Sequence, residues 1–448
     1  MPPYRKRRQI SDLINGTLPD DALAAIFARL PDTADVVRCA ATCTRWRRAV
    51  ATRAASLSHS LPPPGRFLPQ LAVGLFHLEK HGPTARTRTA PGAPQPRFLA
   101  MASGRRLLGC QRTCIGSLFR GVDDGGAIFD FSRPVASRNG RLVLELQRES
   151  RADGGVTLCV CNPMTGDVVV LPVLEGVDKP ADYGCALLAG DDLRPRRCTT
   201  NFFHLLLVVY NSRRHGFTAL RCFSSATGRW GAETRSPVPA SANELRHIGP
   251  AAVLHGAAFW PLDHGVLGVR PAAGDDLQAA VVHLLPYEWP HYWPEKRLLG
   301  VSPDNRLFFI NFGHLGIDYT LIANITYFDI RGDDIRTGRQ PTYYEINGDD
   351  IRTGRIQGSP FKETIRMPQI KMPCRDTTLK LRWAGEKSGM VLFTLGESSG
   401  HSGTFALSLR ERTVEKLAHG EGHEWGSFVG FEMNWATYLA TIAANGTN

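Results

Sequence analysis

Residues 396–400, GESSG, match the G-x-S-x-G pattern in which a nucleophilic serine sits on a sharp strand-to-helix turn. Such a serine also needs an acid and then a histidine later in the chain, and Glu421 and His423 follow in that order. The pattern requires a helix directly after the serine, but HSGTFALSLRERT reads as a strand. We therefore predict a hairpin loop around Ser398, with no catalytic residue, and a chain that is not an enzyme.

The chain has ten cysteines, which are too few and too irregular for a disulfide scaffold. Two pairs have the C-x3-C spacing of some zinc ligands, but neither has a supporting second Cys or His pair. These pairs are Cys39 with Cys43 and Cys110 with Cys114. We predict that these thiols act as small buried hydrophobic groups, as do Cys159 and Cys161 on one face of a strand. The sequence has no P-loop, dinucleotide fingerprint or H-E-x-x-H motif, so no metal or other cofactor is expected.

A first helix is predicted within LPDDALAAIFARLP, because its apolar residues recur at helical spacing. These residues are Leu23, Ile26, Phe27 and Leu30. Asp20 or Asp21 suits an N-cap or the positive end of the helix dipole, and Pro31 ends the helix.

A second helix is predicted from Asp32 or Thr33 through VVRCAATC, and a third in TRWRRAV. The three helices form a unit of roughly 35 residues, and a chain this short seldom keeps a core without metal, disulfides or a partner. The unit must therefore bury an apolar face, either against another protein or against the rest of its own chain.

Beyond residue 98 the sequence predicts a large all-β domain, because short apolar runs recur with turn-forming residues between them. The runs include RLVLEL, VTLCVC, FHLLLVVY, FTALRCF, RLFFIN, MVLFTL and TFALSL, and the turns include CNPMTGD, SSATGRW and SPDNR. A β-propeller accommodates so many short strands with only short, protected edges. Two β-sandwiches in tandem are the alternative, and no repeated motif gives a blade count.

One local duplication is clear: residues 327–339 match residues 343–355 at ten of thirteen positions. Its acidic pairs, Asp333/Asp334 and Asp349/Asp350, have no EF-hand spacing. We therefore predict an insertion in a surface hairpin, where added residues cost little stability.

The excess of basic over acidic residues lies entirely in the N-terminal region. The whole chain carries +11, residues 1–106 contain 17 Lys and Arg against 6 Asp and Glu, and the remainder has 36 of each. The cluster Arg5-Lys6-Arg7-Arg8 suits a nuclear import signal, a phosphate-binding arm or a solubilising tail. A neutral β domain does not favour nucleic-acid binding.

The chain contains no apolar run long enough to span a membrane and no apolar segment after its basic N-terminus that would suit a secretory signal. We expect cytoplasmic and/or nuclear residence and no membrane partner. An aromatic cluster, Tyr287, Trp289, His291, Tyr292 and Trp293, suits either base stacking or packing of a β core, and packing is favoured.

The segment LPDDALAAIFARLPDTADVVRCAATCTRWRRAV resembles an F-box over nearly its whole length. The resemblance lies in its Leu-Pro-Asp start, the helix ending in Arg-Leu-Pro, the Val-Val-Arg-Cys step and a tryptophan followed by Val50. It implies that eight residues divide between a Skp-type adaptor interface and a small internal core. They are Leu18, Pro19, Leu23, Ile26, Leu30, Val36, Val37 and Trp46.

The remainder resembles a plant family in which an F-box precedes a β-rich associated domain. The similar segments are RNGRLVLEL, CVCNPMTGDVVVLP, FSSATGRW and GFEMNWATYL. The resemblance implies the substrate-recognition adaptor of a Skp-cullin-F-box ubiquitin ligase, which binds a Skp-type adaptor, through it a cullin, and an unidentified target. The alternative is a nucleic-acid-binding protein that uses the basic N-terminal region.

The predicted organisation has four parts. Residues 1–14 form a basic flexible tail, 15–60 the helical F-box domain, 61–97 a proline-rich linker and 98–448 the propeller-like recognition domain.

Overall fold

A computed structural model divides the chain into two compact units. The first comprises residues 1–65 and 434–448, and the second comprises residues 66–433. The structure describes residues 18–30, 36, 39, 43–53, 57, 66–79, 94–109, 111–119, 127–146, 155–177, 182–189, 203, 205–213, 215–236, 244–245, 248–262, 265–271, 277–282, 297–315, 320–328, 362–371, 378–396, 402–420, 425, 427–434 and 438.

The first unit contains helices α1 (Asp20–Phe27) and α2 (Thr44–Thr52). The predicted first and third helices are therefore present, while most of the predicted second helix lies outside the described residues. Neither aspartate is the N-cap, because Pro19 occupies that position and both carboxylates lie in the first turn, where they face the positive end of the helix dipole. The helix ends at Phe27, a full turn before Pro31.

The second unit is a six-bladed propeller, which confirms the predicted all-β domain. Blade I contains β1 (Ala72–Leu78), β2 (Arg97–Ala100), β3 (Arg112–Cys114) and β25 (Ser427–Glu432). Blade II contains β4 (Arg133–Arg138), β5 (Arg141–Leu146), β6 (Thr157–Cys161) and β7 (Val168–Val170). Blade III contains β8 (Tyr183–Leu188), β9 (Leu205–Asn211), β10 (Thr218–Ser224), β11 (Arg229–Trp230) and β12 (Thr234–Arg235).

Blade IV contains β13 (Ala252–Leu254), β14 (Ala257–Leu262), β15 (Gly265–Pro271) and β16 (Leu277–Val282). Blade V contains β17 (Arg297–Val301), β18 (Leu307–Leu315), β19 (Thr320–Phe328) and β20 (Lys362–Lys371). Blade VI contains β21 (Leu379–Ala384), β22 (Met390–Leu395), β23 (Gly403–Ser408) and β24 (Thr413–His419). A short helix, α3 (Ala102–Leu108), follows β2. No helix in the described part of the chain is long and apolar enough to cross a membrane.

The predicted turns join antiparallel strands as expected. In CNPMTGD, the Asn162 side-chain oxygen accepts a hydrogen bond from the Met164 amide at 2.9 Å, and this turn connects β6 to β7. Asn139 and Gly140 both have positive φ, 52° and 75°, which is the backbone of a two-residue hairpin between β4 and β5. Local turn chemistry therefore sets these strand registers.

The last strand closes the ring. β25 pairs antiparallel with β1, from Leu78 with Ser427 to Ala72 with Glu432, so blade I combines the first and last strands of the unit. β25 also contacts the innermost strands of the two neighbouring blades, β4 and β21. The first and last strands of the domain are therefore held together by hydrogen bonds and side-chain packing.

This closure changes the predicted boundary between linker and propeller. Strand β1 lies within residues 61–97, the range assigned to a proline-rich linker, so the propeller begins before residue 98. The sequence AVGLFHL has the apolar character of a buried strand, and six of its seven residues are buried. Residues 80–93, which contain Pro83 and Pro91, lie outside the described residues.

A polar network joins the innermost strands where they end. The Glu432 carboxylate accepts hydrogen bonds from the Ser388 amide and hydroxyl at 3.0 and 2.9 Å. From the same β21–β22 turn, Glu386 accepts one hydrogen bond from Arg138 of blade II at 2.8 Å and another from the Val253 amide of blade IV at 2.9 Å. Burial, and then the charge of Glu386, raise the pKa of Glu432.

The GESSG segment and the tandem duplication both lie between consecutive antiparallel strands. The GESSG segment joins β22 to β23, which pair antiparallel, so the predicted hairpin loop is confirmed, although Ser398 itself lies outside the described residues. The duplication lies in the connection between the paired strands β19 and β20, and most of it is also outside the described residues.

The close approach of blades I and VI gives a first prediction. A Cβ at Gly430 would overlap the indole ring of Trp383, whereas a Cβ at Gly313 would meet nothing nearer than 3.8 Å. Overpacking a core costs about 1–3 kcal/mol. We expect Gly430→Ala to lower the free energy of unfolding of the propeller by that amount in urea titrations. Gly313→Ala should change it far less, and equal losses in the two variants would contradict this packing.

A second prediction concerns acid stability. His77 is buried, its ring stacks on Trp425 at 3.6 Å, and burial followed by the charges of Arg112 and Arg97 lowers its pKa to about 3. Between pH 6.5 and 3 the unfolded chain binds a proton at this residue and the folded chain does not, so stability falls as the pH falls. The slope from one such group is at most about 1.4 kcal/mol per pH unit.

We expect His77→Phe, which can still stack on Trp425, to flatten the dependence of the unfolding free energy on pH in this range. His419→Phe, at an exposed position, is the control and should retain the wild-type slope. A wild-type slope in His77→Phe would contradict the assignment.

Candidate functional site

The first unit has an internal core built from one side of α1. Leu23 and Phe27, one turn apart, are 2% and 1% exposed and pack with residues from the following segments. The Trp46 ring meets the Phe27 ring edge to face, with their centroids 5.5 Å apart. The buried members of this cluster are Leu23, Phe27, Val36, Ala49, Val50 and Leu57, with Leu30, Cys39 and Trp46 partly buried against it.

A different side of α1 carries exposed apolar residues. Leu18, just before the helix, is 49% exposed, and Ile26 is 45% exposed. Pro19 is also exposed. We call Leu18, Pro19 and Ile26 the docking patch. Among the described residues of the first unit, these three apolar residues are exposed to solvent and lie outside the internal core.

The structure thus divides the eight residues predicted from the resemblance. Leu23 and Val36 are internal, Leu30 and Trp46 are half-buried against the core, and the docking patch holds the other three described residues. Val37 lies outside the described residues. Which of these residues contact an adaptor stays a prediction.

The core also contains residues that the predicted set omits. Phe27 was part of the apolar pattern of the first helix but was not assigned to the site, although it lies four residues after Leu23 on the same helical face. Ala49 and Val50 form the buried side of α2, and Leu57 lies beyond it. Ala49 and Val50 lie three and four residues after Trp46, and this helical spacing was the sequence signal that could have placed them on the same buried face.

Two ion pairs connect α1 to α2 and to the residue directly after it. The Arg45 guanidinium lies 3.2 Å from the Asp20 carboxylate, and that of Arg53 contacts the Asp21 carboxylate. Arg45 also donates a hydrogen bond to the main-chain carbonyl of Leu18. All four charged side chains are well exposed, and surface pairs of this kind contribute about 0–1 kcal/mol each.

The cysteine prediction is only partly right. Cys159 and Cys161 are buried on one face of β6, and burial raises the pKa of the Cys161 thiol. Cys43 and Cys114 are exposed, contrary to the expectation that they are buried, because Cys43 precedes α2 and Cys114 ends an outer strand. The Cys43 sulfur accepts a hydrogen bond from the Trp46 amide. Among the described residues, no group of three His, Cys, Asp or Glu side chains is arranged to hold a metal ion.

The propeller has exposed apolar residues of its own. Val169 and Val170 on β7 are each 38% exposed, and Val173, just after this outer strand, is 51% exposed. The aromatic cluster around Trp289 and the basic residues 5–8 lie outside the described residues.

Comparison with known families decides the nature of the first unit. Residues 16–57 match the family model described as F-box-like. This segment is an F-box-like domain. The match covers the two helices, the internal core and the docking patch, and it confirms the resemblance seen in the sequence. The protein is therefore an F-box-like domain followed by a six-bladed propeller.

None of the curated proteins matches the chain. Among solved structures, one of two prolyl endopeptidases, studied for inter-domain dynamics in catalysis and specificity, aligns at 10% identity and a TM-score of 0.31. That alignment covers 65% of this chain and only 36% of the peptidase. A GH93 α-L-arabinofuranosidase of Fusarium graminearum, in complex with arabinobiose, aligns at 10% identity and a TM-score of 0.31, over 62% of this chain and 77% of the enzyme.

The opposite exposures of two neighbouring residues in α1 give a third prediction. Phe27→Ala removes a fully buried aromatic side chain, which typically costs about 3–5 kcal/mol, and should unfold the F-box-like domain. Ile26→Ala, at the adjacent exposed position, should leave it folded. Hydrogen exchange of peptides from residues 18–30 in the full-length chain distinguishes these outcomes. Equal protection in both variants would contradict the assigned core.

Proposed function

We propose that this protein is a substrate-recognition subunit of a Skp-cullin-F-box ubiquitin ligase. In this proposal the F-box-like domain binds a Skp-type adaptor, through it a cullin, and the propeller binds a target protein. The chain itself performs no chemistry. It acts in the cytosol or nucleus and raises the concentration of the target near a conjugating enzyme recruited elsewhere in the complex.

The docking patch is the observation that carries the proposal. Leu18 and Ile26 are nearly half exposed on a domain whose internal core is formed by other residues. Fully burying an aliphatic side chain contributes about 1.5–3 kcal/mol relative to leaving it exposed. Because each residue is already partly covered, two such anchors supply part of the affinity and need neighbouring contacts for the rest.

The propeller suits a platform for a bound protein. Most residues of its inner strands are buried within six sheets, and the connection between β19 and β20 carries a tandem duplication, an insertion of the kind that surface loops tolerate. The exposed valines on and after β7 offer apolar surface on the outer edge of blade II. The GESSG segment supports no catalytic role, because a strand follows it where a nucleophile elbow needs a helix.

The proposed domain organisation follows from the same arrangement. A basic tail of residues 1–14 precedes the F-box domain at residues 15–60, and the recognition domain corresponds to the second unit, residues 66–433, which includes β1.

The test is direct binding of a purified Skp-type adaptor to the full-length protein. We expect wild type to bind, and Leu18→Ala combined with Ile26→Ala to weaken binding at least ten-fold, because about 1.4 kcal/mol corresponds to a factor of ten. Isothermal titration calorimetry measures the affinity, and circular dichroism checks that the fold is retained.

Val173→Ala is the matched control, since Val173 is 51% exposed, much like Leu18, but lies on the propeller. It should bind the adaptor like wild type. Failure of the wild-type chain to bind, or unchanged affinity in the double variant, would reject the docking proposal.

A further inference from the structure

Leu18 and Pro19 of the docking patch precede α1, whereas Ile26 lies within it. Pro19 is the N-cap of α1 with ψ of 152°, so Leu18 precedes the helical backbone. The N-cap makes no side-chain hydrogen bond, and proline has no such group to offer. The side-chain cap that usually fixes the chain at the start of a helix is therefore absent next to the exposed Leu18.

Arg45 supplies the missing restraint from α2. Its guanidinium donates to the Leu18 carbonyl and, through Nε, to the Asp20 carboxylate at 3.2 Å. The two acceptors lie on either side of Pro19. A planar guanidinium with several donors can hold both at once, whereas a lysine ammonium is a single point charge.

The part of α2 that carries Arg45 packs against the internal core. Arg45 precedes Trp46, whose ring packs on the buried Phe27, so α2 is anchored in the internal core next to the arginine. The second ion pair links Arg53, directly after α2, to the Asp21 side chain and not to the Leu18 carbonyl.

We infer that Arg45 is the positioning residue of the docking patch: it holds the chain on both sides of Pro19 and so presents Leu18 to the adaptor. The inference rests on the proposed function and deepens it. Without Arg45 the Leu18 backbone must be ordered on binding, and fixing the backbone of one residue is opposed by conformational entropy.

The decisive experiment is a double-mutant cycle on adaptor binding with the full-length protein. Arg45→Met should weaken binding five- to ten-fold. In the Leu18→Ala background the same substitution should have almost no further effect, because its role acts through Leu18. Additive losses would overturn the inference, since they would mean that Arg45 acts independently of Leu18.

Two further variants separate positioning from general stabilisation. Arg53→Met removes the other ion pair and should bind like wild type, whereas a loss equal to that of Arg45→Met would overturn the inference. Arg45→Lys keeps the positive charge but loses the planar guanidinium with its several donors, so its affinity for the adaptor should stay below that of wild type. Full recovery of affinity by lysine would also overturn it.

A measurement without adaptor tests the restraint itself. The Leu23 amide donates to the Pro19 carbonyl at 3.0 Å and closes the first turn of α1. Its hydrogen exchange should be faster in Arg45→Met and unchanged in Arg53→Met. Unchanged exchange in Arg45→Met rejects the inference, while a wild-type chain that binds no adaptor rejects the proposed function.

Discussion

The pairing of β25 with β1 is the constraint on which the propeller depends. The two strands are separated by nearly the whole second unit in sequence, yet they lie side by side in blade I. The cost of bringing them together is the entropy of closing a very long loop, which grows only slowly with loop length. The gain is a ring in which every innermost strand has a neighbour on both sides.

The polar network at the ends of the innermost strands uses the same closing strand. Glu432 is the last residue of β25, and its carboxylate fixes the β21–β22 turn, from which Glu386 reaches Arg138 and Val253. Residues of blades I, II, IV and VI are thereby connected through two carboxylates. Burying carboxylates has a desolvation cost, and here main-chain amides, a hydroxyl and a guanidinium offset it. Apolar packing gives these blades their cohesion, and the directional hydrogen bonds add a fixed arrangement of one blade relative to the next.

Much of this fold could be predicted from the sequence because its signals are local. Runs such as RLVLEL and MVLFTL are the strands β5 and β22, and turns such as CNPMTGD lie between paired strands. The blade count and the ring closure could not be predicted, because the blades share no repeated motif and pairing between β1 and β25 is non-local. The sequence did not show which of the eight residues predicted from the resemblance are buried and which are exposed. Leu23 and Ile26 are equally apolar and both fit the helical pattern, and only the position of α2 decides that one is buried and the other exposed.

Closure by the last strand also has a consequence for biosynthesis. Residues 427–432 leave the ribosome after the other strands that the structure describes, so during translation five blades can assemble while β1 has no partner on one edge. A nascent chain that stops early, for example within the region of the duplication, would keep this edge and the buried face of Phe76 and Phe98 open to water. The ring can therefore close only after β25 has been synthesised, and termination before β25 would leave an aggregation-prone sheet edge for chaperones and proteases to recognise.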